Sequence, residues 1–313
     1  MTRSDACVLT IPATDGVRLA ATRTGPPTAA AATVVYIHGL FCDRHYWAPV
    51  TTRLHDRLDG AITQITYDHR GHGDSGHPPR TTATTMDRLA DDLDIVLTHA
   101  TGAVVLVAHS AGALIAQAYA TRHHARATAL SGLVLINAAA EFPSFPRLPA
   151  HFRAWPHQLH RLRHTRLDPL AAAGTAILER RFRRASHRHG PKTHLATGTR
   201  PTNPRVTADI LAAYRAFSLD TNAAHSLRGT PTFVLAGERD PAVPPEQAVR
   251  LADKLWSDYE IVPAAGHSLP RTDPHRVTDT IVAALDIAYR ADQREPPHRT
   301  ATDTAHGWLE GPS

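Results

Sequence analysis

Cysteine is nearly missing from this 313-residue chain, which carries only Cys7 and Cys42. Two thiols cannot build a disulfide framework, and both are expected to be buried and free. No run of 18 apolar residues occurs, which excludes a membrane-spanning helix. The opening residues, MTRSDACVLTIPATDG, lack the apolar stretch of a signal peptide, so the expected location is the cytoplasm. No internal repeat recurs. No nucleic-acid-binding motif accompanies the surplus of positive charge, and no nucleic-acid partner is expected.

What is present is an ordinary globular composition, 42% hydrophobic and 20% charged, long for one domain but common for an α/β domain. The net charge of +5 is unevenly spread. Residues 141–228 hold 15 Lys/Arg against 5 Asp/Glu, whereas the rest of the chain is net acidic. Outside that segment, short aliphatic stretches such as TVVYIHG, GLVLINAAA and TPTFVLAGERD alternate with amphipathic ones such as MDRLADDLDIVLTHA and PHRVTDTIVAALDIAYR. This rhythm predicts a mostly parallel central sheet with helices on both faces. An Asp15-Gly16 turn predicts a hairpin before it. Between 141 and 228 the strands stop: EFPSFPRLPAHFRAWP is interrupted by prolines, HQLHRLRH and TAILERRFRR read as basic helices, and VTADILAAYRAFSLD as a last helix. The expected organisation is a core in two parts, 1–140 and 229–290, with a helical cap inserted at 141–228 and a disordered tail at 291–313.

The stretch VVLVAHSAGALIAQAYA carries the chemistry. Val104 to Val107 read as a strand buried on both faces, and Leu114, Ile115, Ala118 and Tyr119 recur at helical spacing. Ser110 stands at the changeover, flanked two positions away by the small residues Ala108 and Gly112, as a sharp strand-to-helix turn requires. Such a turn lifts the serine to the carboxyl edge of the sheet, where open α/β folds bind ligands. The helix that follows offers free N–H groups to a negative oxygen, the first being that of Ala111. A serine hydroxyl is a weak nucleophile without a base to take its proton, and the base needs a carboxylate to orient it. LAGERDPAVP supplies Asp240 and VPAAGHSLP supplies His267, each in a loop after a strand. The order Ser110, Asp240, His267 is that of the nucleophile-elbow enzymes. Taken singly, Ser110 also reads as a helix N-cap, Asp240 as a turn residue before Pro241, and His267 as a surface histidine.

With AHSAGA at the elbow, YIHGLF, DHRGHGDS, GERDPAVP and AGH in order, the chain resembles the Ser-Asp-His α/β-hydrolases over about Cys7–Ala140 and Thr230–Arg290. Ala108 stands where that family usually has glycine. The resemblance implies an α/β-hydrolase fold and no cofactor. It implies an acyl-enzyme on Ser110, with His267 as general base and Asp240 as its orienting acid. It assigns one oxyanion donor to the N–H of Ala111 and the other to Leu40, or to Phe41 if the loop register differs. His38 is expected to support that loop, and His69, Arg70, His72 and Asp74 to organise the loop beside it, with Asp68 as an alternative acid.

The expected substrate is a small ester, lactone or thioester. Perhydrolysis, acyl transfer and carbon–carbon bond hydrolysis use the same three residues, and a non-catalytic binding protein on this fold is a further alternative. Dehalogenases and epoxide hydrolases of this kind carry Asp where this chain has Ser110. Phe41, His109, Phe142, Phe145 and Trp155 are expected to line the pocket, with Trp47 at its border; Phe152, Leu159 and Leu162 fit either the pocket or the packing of cap on core. The cap arginines suit either an acyl-CoA or acyl-carrier-protein partner or a solvated basic face. His157, His160 and His164 share one face if helical, a spacing open to zinc or to solvated histidines; no metal is expected.

Overall fold

The computed structural model describes residues 6–26, 30–141, 161–188 and 200–292. Its centre is one eight-stranded sheet in the order β1-β2-β4-β3-β5-β6-β7-β8. The strands are β1 (Cys7–Pro12), β2 (Arg18–Thr24), β3 (Ala32–Ile37), β4 (Thr63–Tyr67), β5 (Ala103–His109), β6 (Gly132–Ile136), β7 (Thr232–Gly237) and β8 (Asp258–Val262). From β4 to β8 all neighbours pair in parallel. The hairpin β1-β2 adds on antiparallel, turning through Gly16 at φ +81°. Because β3 lies between β4 and β5, the chain winds one way from β3 and then the other. Loops after β3 and β5 therefore open side by side at the carboxyl edge, the place where such sheets bind ligands.

Residues of each central strand alternate between two cores. Val35, Ile37, Leu106, Ala108, Leu133 and Leu135 face α2 (Met86–Leu97), α3 (Ala111–Arg122) and α8 (Pro245–Leu255). Val34, Tyr36, Val105, Val107, Val134 and Ile136 face α1 (Ala48–Arg57) and α10 (Pro274–Asp292). All six β3 side chains are buried, as expected of a strand covered on both faces. The remaining helices are α4 (His124–Ala127), α5 (Asp168–Arg188), α6 (Pro204–Ala216), α7 (Thr221–Ser226) and α9 (Leu269–Thr272). Helix α1 has no counterpart among the sequence expectations. It buries only Val50 and Leu54, with Pro49 in its first turn and two threonines behind it, so its pattern is faint. Cys42 is buried but Cys7 is exposed, against expectation, because β1 is the outermost strand and turns only Ile11 fully inward.

After β6 the chain leaves the core and returns at one point. Glu141 bridges to Ser218, and Leu219 N–H donates to the Ala140 carbonyl at 2.8 Å. The described residues of this excursion form α5 and α6. Helix α6 buries Val206, Ile210 and Tyr214 into the cluster that contains α2 and α3. Among the described residues no helix is long and apolar enough to cross a membrane.

Candidate active site

Ser110 follows β5 and precedes α3, at φ +54° and ψ −122°. A capping serine adopts extended backbone and gives its hydroxyl to the helix's first N–H groups. Ser110 does neither: no side-chain cap bond is made, and its Oγ lies 2.9 Å from His267 Nε2. The left-handed φ costs an L-residue free energy, on the order of 1–3 kcal/mol, and the fold sustains it through close packing. A Cβ added at Gly112 would lie 2.5 Å from the Ile37 carbonyl oxygen and 2.6 Å from that of His38. Only glycine lets α3 start this close to the end of β3.

The loops after β7 and β8 bring the other two residues to the serine. His267 Nδ1–H donates to Asp240 Oδ2 at 2.7 Å, which leaves Nε2 free to accept the Ser110 hydroxyl. Asp240 is fully buried, and every oxygen is used. Oδ1 accepts from the N–H groups of Ala242 at 2.7 Å and Val243 at 2.9 Å; Oδ2 also accepts from Asn137 Nδ2. Burial pushes the Asp240 carboxyl up, but the charge and hydrogen bond of His267, the Val243 N–H and Asn137 outweigh it and hold it below the usual carboxylate range. A permanently ionised carboxylate here fixes the imidazole tautomer and favours its charged form. Asn137 was not singled out from the sequence. It follows β6 at φ +50° and donates from Nδ2 to both Asp240 and the Gly266 carbonyl, the latter at 3.0 Å. Its one sequence signal is a left-handed-tolerant amide directly after a buried strand.

The loop after β3 turns at Gly39–Cys42, closed by Cys42 N–H to the Gly39 carbonyl at 3.2 Å, with Phe41 at φ +62°. Leu40 is half-buried there and Phe41 buried. Ala111, the other expected donor, is the first residue of α3. His38 and His69 brace this turn by interlocking. His38 Nδ1 donates to the Gly39 carbonyl at 2.8 Å, its Nε2 accepts from the His69 N–H at 3.1 Å, and His69 Nε2 donates to the His38 carbonyl at 2.8 Å. Arg44 N–H and its guanidinium bind Asp68, which also accepts the Asp74 N–H at 2.9 Å; Asp68 is thus tied up in the loop. Arg70 pairs with Asp92 and Asp15, linking the hairpin to α2. Trp47 is fully buried, its ring 5.2 Å from that of Tyr36. His109, expected along the pocket, is also buried and donates from Nε2 to the His267 carbonyl at 2.7 Å.

A sequence model of the alpha/beta hydrolase family matches residues 34–280, from β3 through the acid and base loops into α10. The chain belongs to the alpha/beta hydrolase family. It is 28% identical over 311 residues to EphD of Mycobacterium tuberculosis, named a probable oxidoreductase, covering 90% of this chain and 49% of that one. The chain thus spans about half the length of the first curated relatives it matches. It is 26% identical over 252 residues to RutD of Agrobacterium fabrum, provisionally named a carbamate hydrolase, covering 80% and 91% of the two chains. Among solved structures it resembles a thermophilic esterase from Thermogutta terrifontis with malate bound, at 26% identity and a TM-score of 0.66, covering 91% of this chain and 99% of that one.

The excursion of this chain is held by buried ion pairs. Arg163 grips Asp209 with two bonds of 2.9 Å and also meets Asp168, which accepts from Arg205 at 2.6 Å and Arg80 at 3.0 Å. Burial pushes the Asp168 carboxyl up, but Arg205, Arg163 and Arg80 together bring it down to about 2. Phe142, Phe145, Phe152, Trp155, His157, Leu159 and His160 lie outside the described residues; Leu162 is half-buried. His164 Nε2 stands 3.7 Å from Asp209 Oδ1. Among the described residues no group of three or more His, Cys, Asp or Glu is arranged to hold a metal.

Proposed function

We propose that this protein is a serine hydrolase that cleaves a carboxylic ester, lactone or thioester through an acyl-enzyme on Ser110. One observation carries the reading. Three side chains from loops as far apart as positions 110, 240 and 267 form one hydrogen-bonded line, 2.9 Å and then 2.7 Å, with the serine held off its helix-capping role. The likeness to the thermophilic esterase agrees with an ester substrate.

Ser110 Oγ attacks the acyl carbon as His267 Nε2 takes its proton. The tetrahedral intermediate collapses when Nε2 returns that proton to the leaving oxygen or sulfur, leaving the acyl ester on Ser110. Water then repeats the sequence and releases the acid. Base catalysis of this kind contributes roughly 10²–10⁴-fold. Asp240 stabilises the imidazolium. The N–H of Ala111, with that of Leu40 or Phe41, receives the oxyanion, and each such donor is commonly worth about 10²–10³ in rate. Residues 141–228 act as a cap over this edge, and the partner is a small acyl compound in the cytoplasm.

A fluorophosphonate probe is expected to label wild-type protein and not Ser110→Ala. A panel of p-nitrophenyl esters of increasing chain length is expected to show turnover that is lost in the same variant. A folded wild type that neither labels nor turns over any ester would refute the reading. The similarity to RutD makes a p-nitrophenyl carbamate the second substrate class to include.

A further inference from the structure

The base loop is held by two side chains that the mechanism above does not use. Asn137 binds the carbonyl of Gly266, and His109 binds the carbonyl of His267 itself. Both donors come from the carboxyl ends of neighbouring buried strands, β6 and β5, which are paired through His109 and Ile136. His109 is 1% exposed, and its ring centroid lies 4.9 Å from that of His267 and 4.9 Å from that of Tyr46. Its Nε2 gives a proton to the His267 carbonyl at 2.7 Å, with Tyr46 Oη at 3.4 Å from the same nitrogen. Its Nδ1 is buried with no hydrogen-bond partner among the described residues. That face lies against Gly39, where an added Cβ would approach Nδ1 to 2.9 Å and Ser110 Cβ to 3.2 Å.

A buried polar atom without a partner costs free energy, and an aliphatic side chain would fill this space without that cost. A histidine in this buried place, its Nε2–H turned to the His267 carbonyl, points to a use for that donor. We propose that His109 is a positioning residue of the Ser110–His267–Asp240 machinery, a neutral imidazole wedged between the Gly39 turn and the base loop that holds the His267 main chain at reach of Ser110. The proposal rests on the serine-hydrolase reading. Burial, and then the neighbouring charge of His267, lowers the His109 pKa to about 3. It therefore stays uncharged when His267 takes up the serine proton, and the imidazolium meets no second positive charge. The reach from a rigid strand end matters because small misplacement of a base from its nucleophile is costly in rate.

The test compares His109→Leu, which fills the space without a donor, with His109→Gln, whose Nε2 reaches the same carbonyl. The readout is the rate of inactivation by a fluorophosphonate, resolved into the limiting rate constant and the half-saturating concentration. In His109→Leu the limiting rate is expected to fall 10- to 100-fold, with half-saturation within twofold of wild type and a thermal midpoint within a few degrees. His109→Gln is expected within threefold of wild type. A merely structural role would not separate two folded variants in this way. If His109→Leu does not fold, His109→Asn, too short to reach, takes its place and is expected to be slow. A labelled wild type beside an equally reactive donor-less variant, or His109→Gln as slow as that variant, overturns the proposal alone. An unlabelled wild type overturns the serine-hydrolase reading and this proposal with it.

Discussion

Acid should unfold this protein more steeply than its surface charge suggests, because three imidazoles are locked in the core beside the active site. His38, His69 and His109 are all within 2% exposure. Burial, reinforced by neighbouring imidazoles, holds His38 well below 6.5 and brings His69 and His109 to about 3. Above pH 6.5 these groups are neutral in both states and cost nothing. As pH falls below 6.5 the unfolded chain takes up protons that the folded chain refuses, so stability declines until pH reaches the folded-state values. At pH 5 His69 and His109 each remove about 2 kcal/mol, about 4 kcal/mol together, and His38 acts in the same direction. Asp68 and Asp92, whose carboxyls burial raises, act in the opposite sense but from a lower starting value. Urea unfolding followed by circular dichroism between pH 7.5 and 5 is the assay. Near pH 5 the unfolding free energy is expected to fall by at least about 2.7 kcal/mol per pH unit, the slope of about two protons from His69 and His109, with His38 steepening it. His69→Gln, which keeps the donor to the His38 carbonyl, should lower that slope by about one proton. A wild-type slope below about one proton would refute the reasoning.

Ser110→Gly is expected to raise the thermal midpoint by a few degrees while abolishing fluorophosphonate labelling, because glycine relieves the strain at φ +54°. An unchanged or lowered midpoint in a calorimetric scan would count against stored strain. Asn137→Ala removes a donor from both Asp240 and the Gly266 carbonyl, and should cost about 1–3 kcal/mol of stability and lower kcat on p-nitrophenyl esters with little change in KM. Gly112→Ala forces a methyl to within 2.5 Å of the Ile37 carbonyl oxygen and should destabilise by several degrees or prevent soluble expression. Arg163→Ala leaves the buried Asp209 carboxylate without its guanidinium, while Asp168 keeps Arg205 and Arg80, and is expected to cost on the order of 3–5 kcal/mol, read as faster hydrogen exchange in α5 and α6.

The aliphatic runs of β3, β5, β6 and β7 and the amphipathic stretches of α2, α8 and α10 declare themselves in the sequence, since period and burial are written in one short window. Ser110 is equally legible, because strand, small residues and helix follow one another within about ten positions. Helix α1 is not, for it buries only two side chains over ten residues. The exposure of Cys7 is not, because being an edge strand is a property of pairing order rather than of composition. The roles of Asn137 and His109 are invisible for the same reason: each acts on a loop more than a hundred residues away.

Local pattern therefore determined which segments become strands and helices, and that a serine, an aspartate and a histidine would each leave a strand's carboxyl end. Only the tertiary structure decided which strand lies beside which. With that came the 2.9 Å and 2.7 Å distances, the orphaned Nδ1 of His109 and the amide clamp of Asn137. The physical reason is that hydrophobic periodicity is a property of a few consecutive residues, whereas a hydrogen bond across the sheet edge depends on every packing contact that sets the two strands side by side.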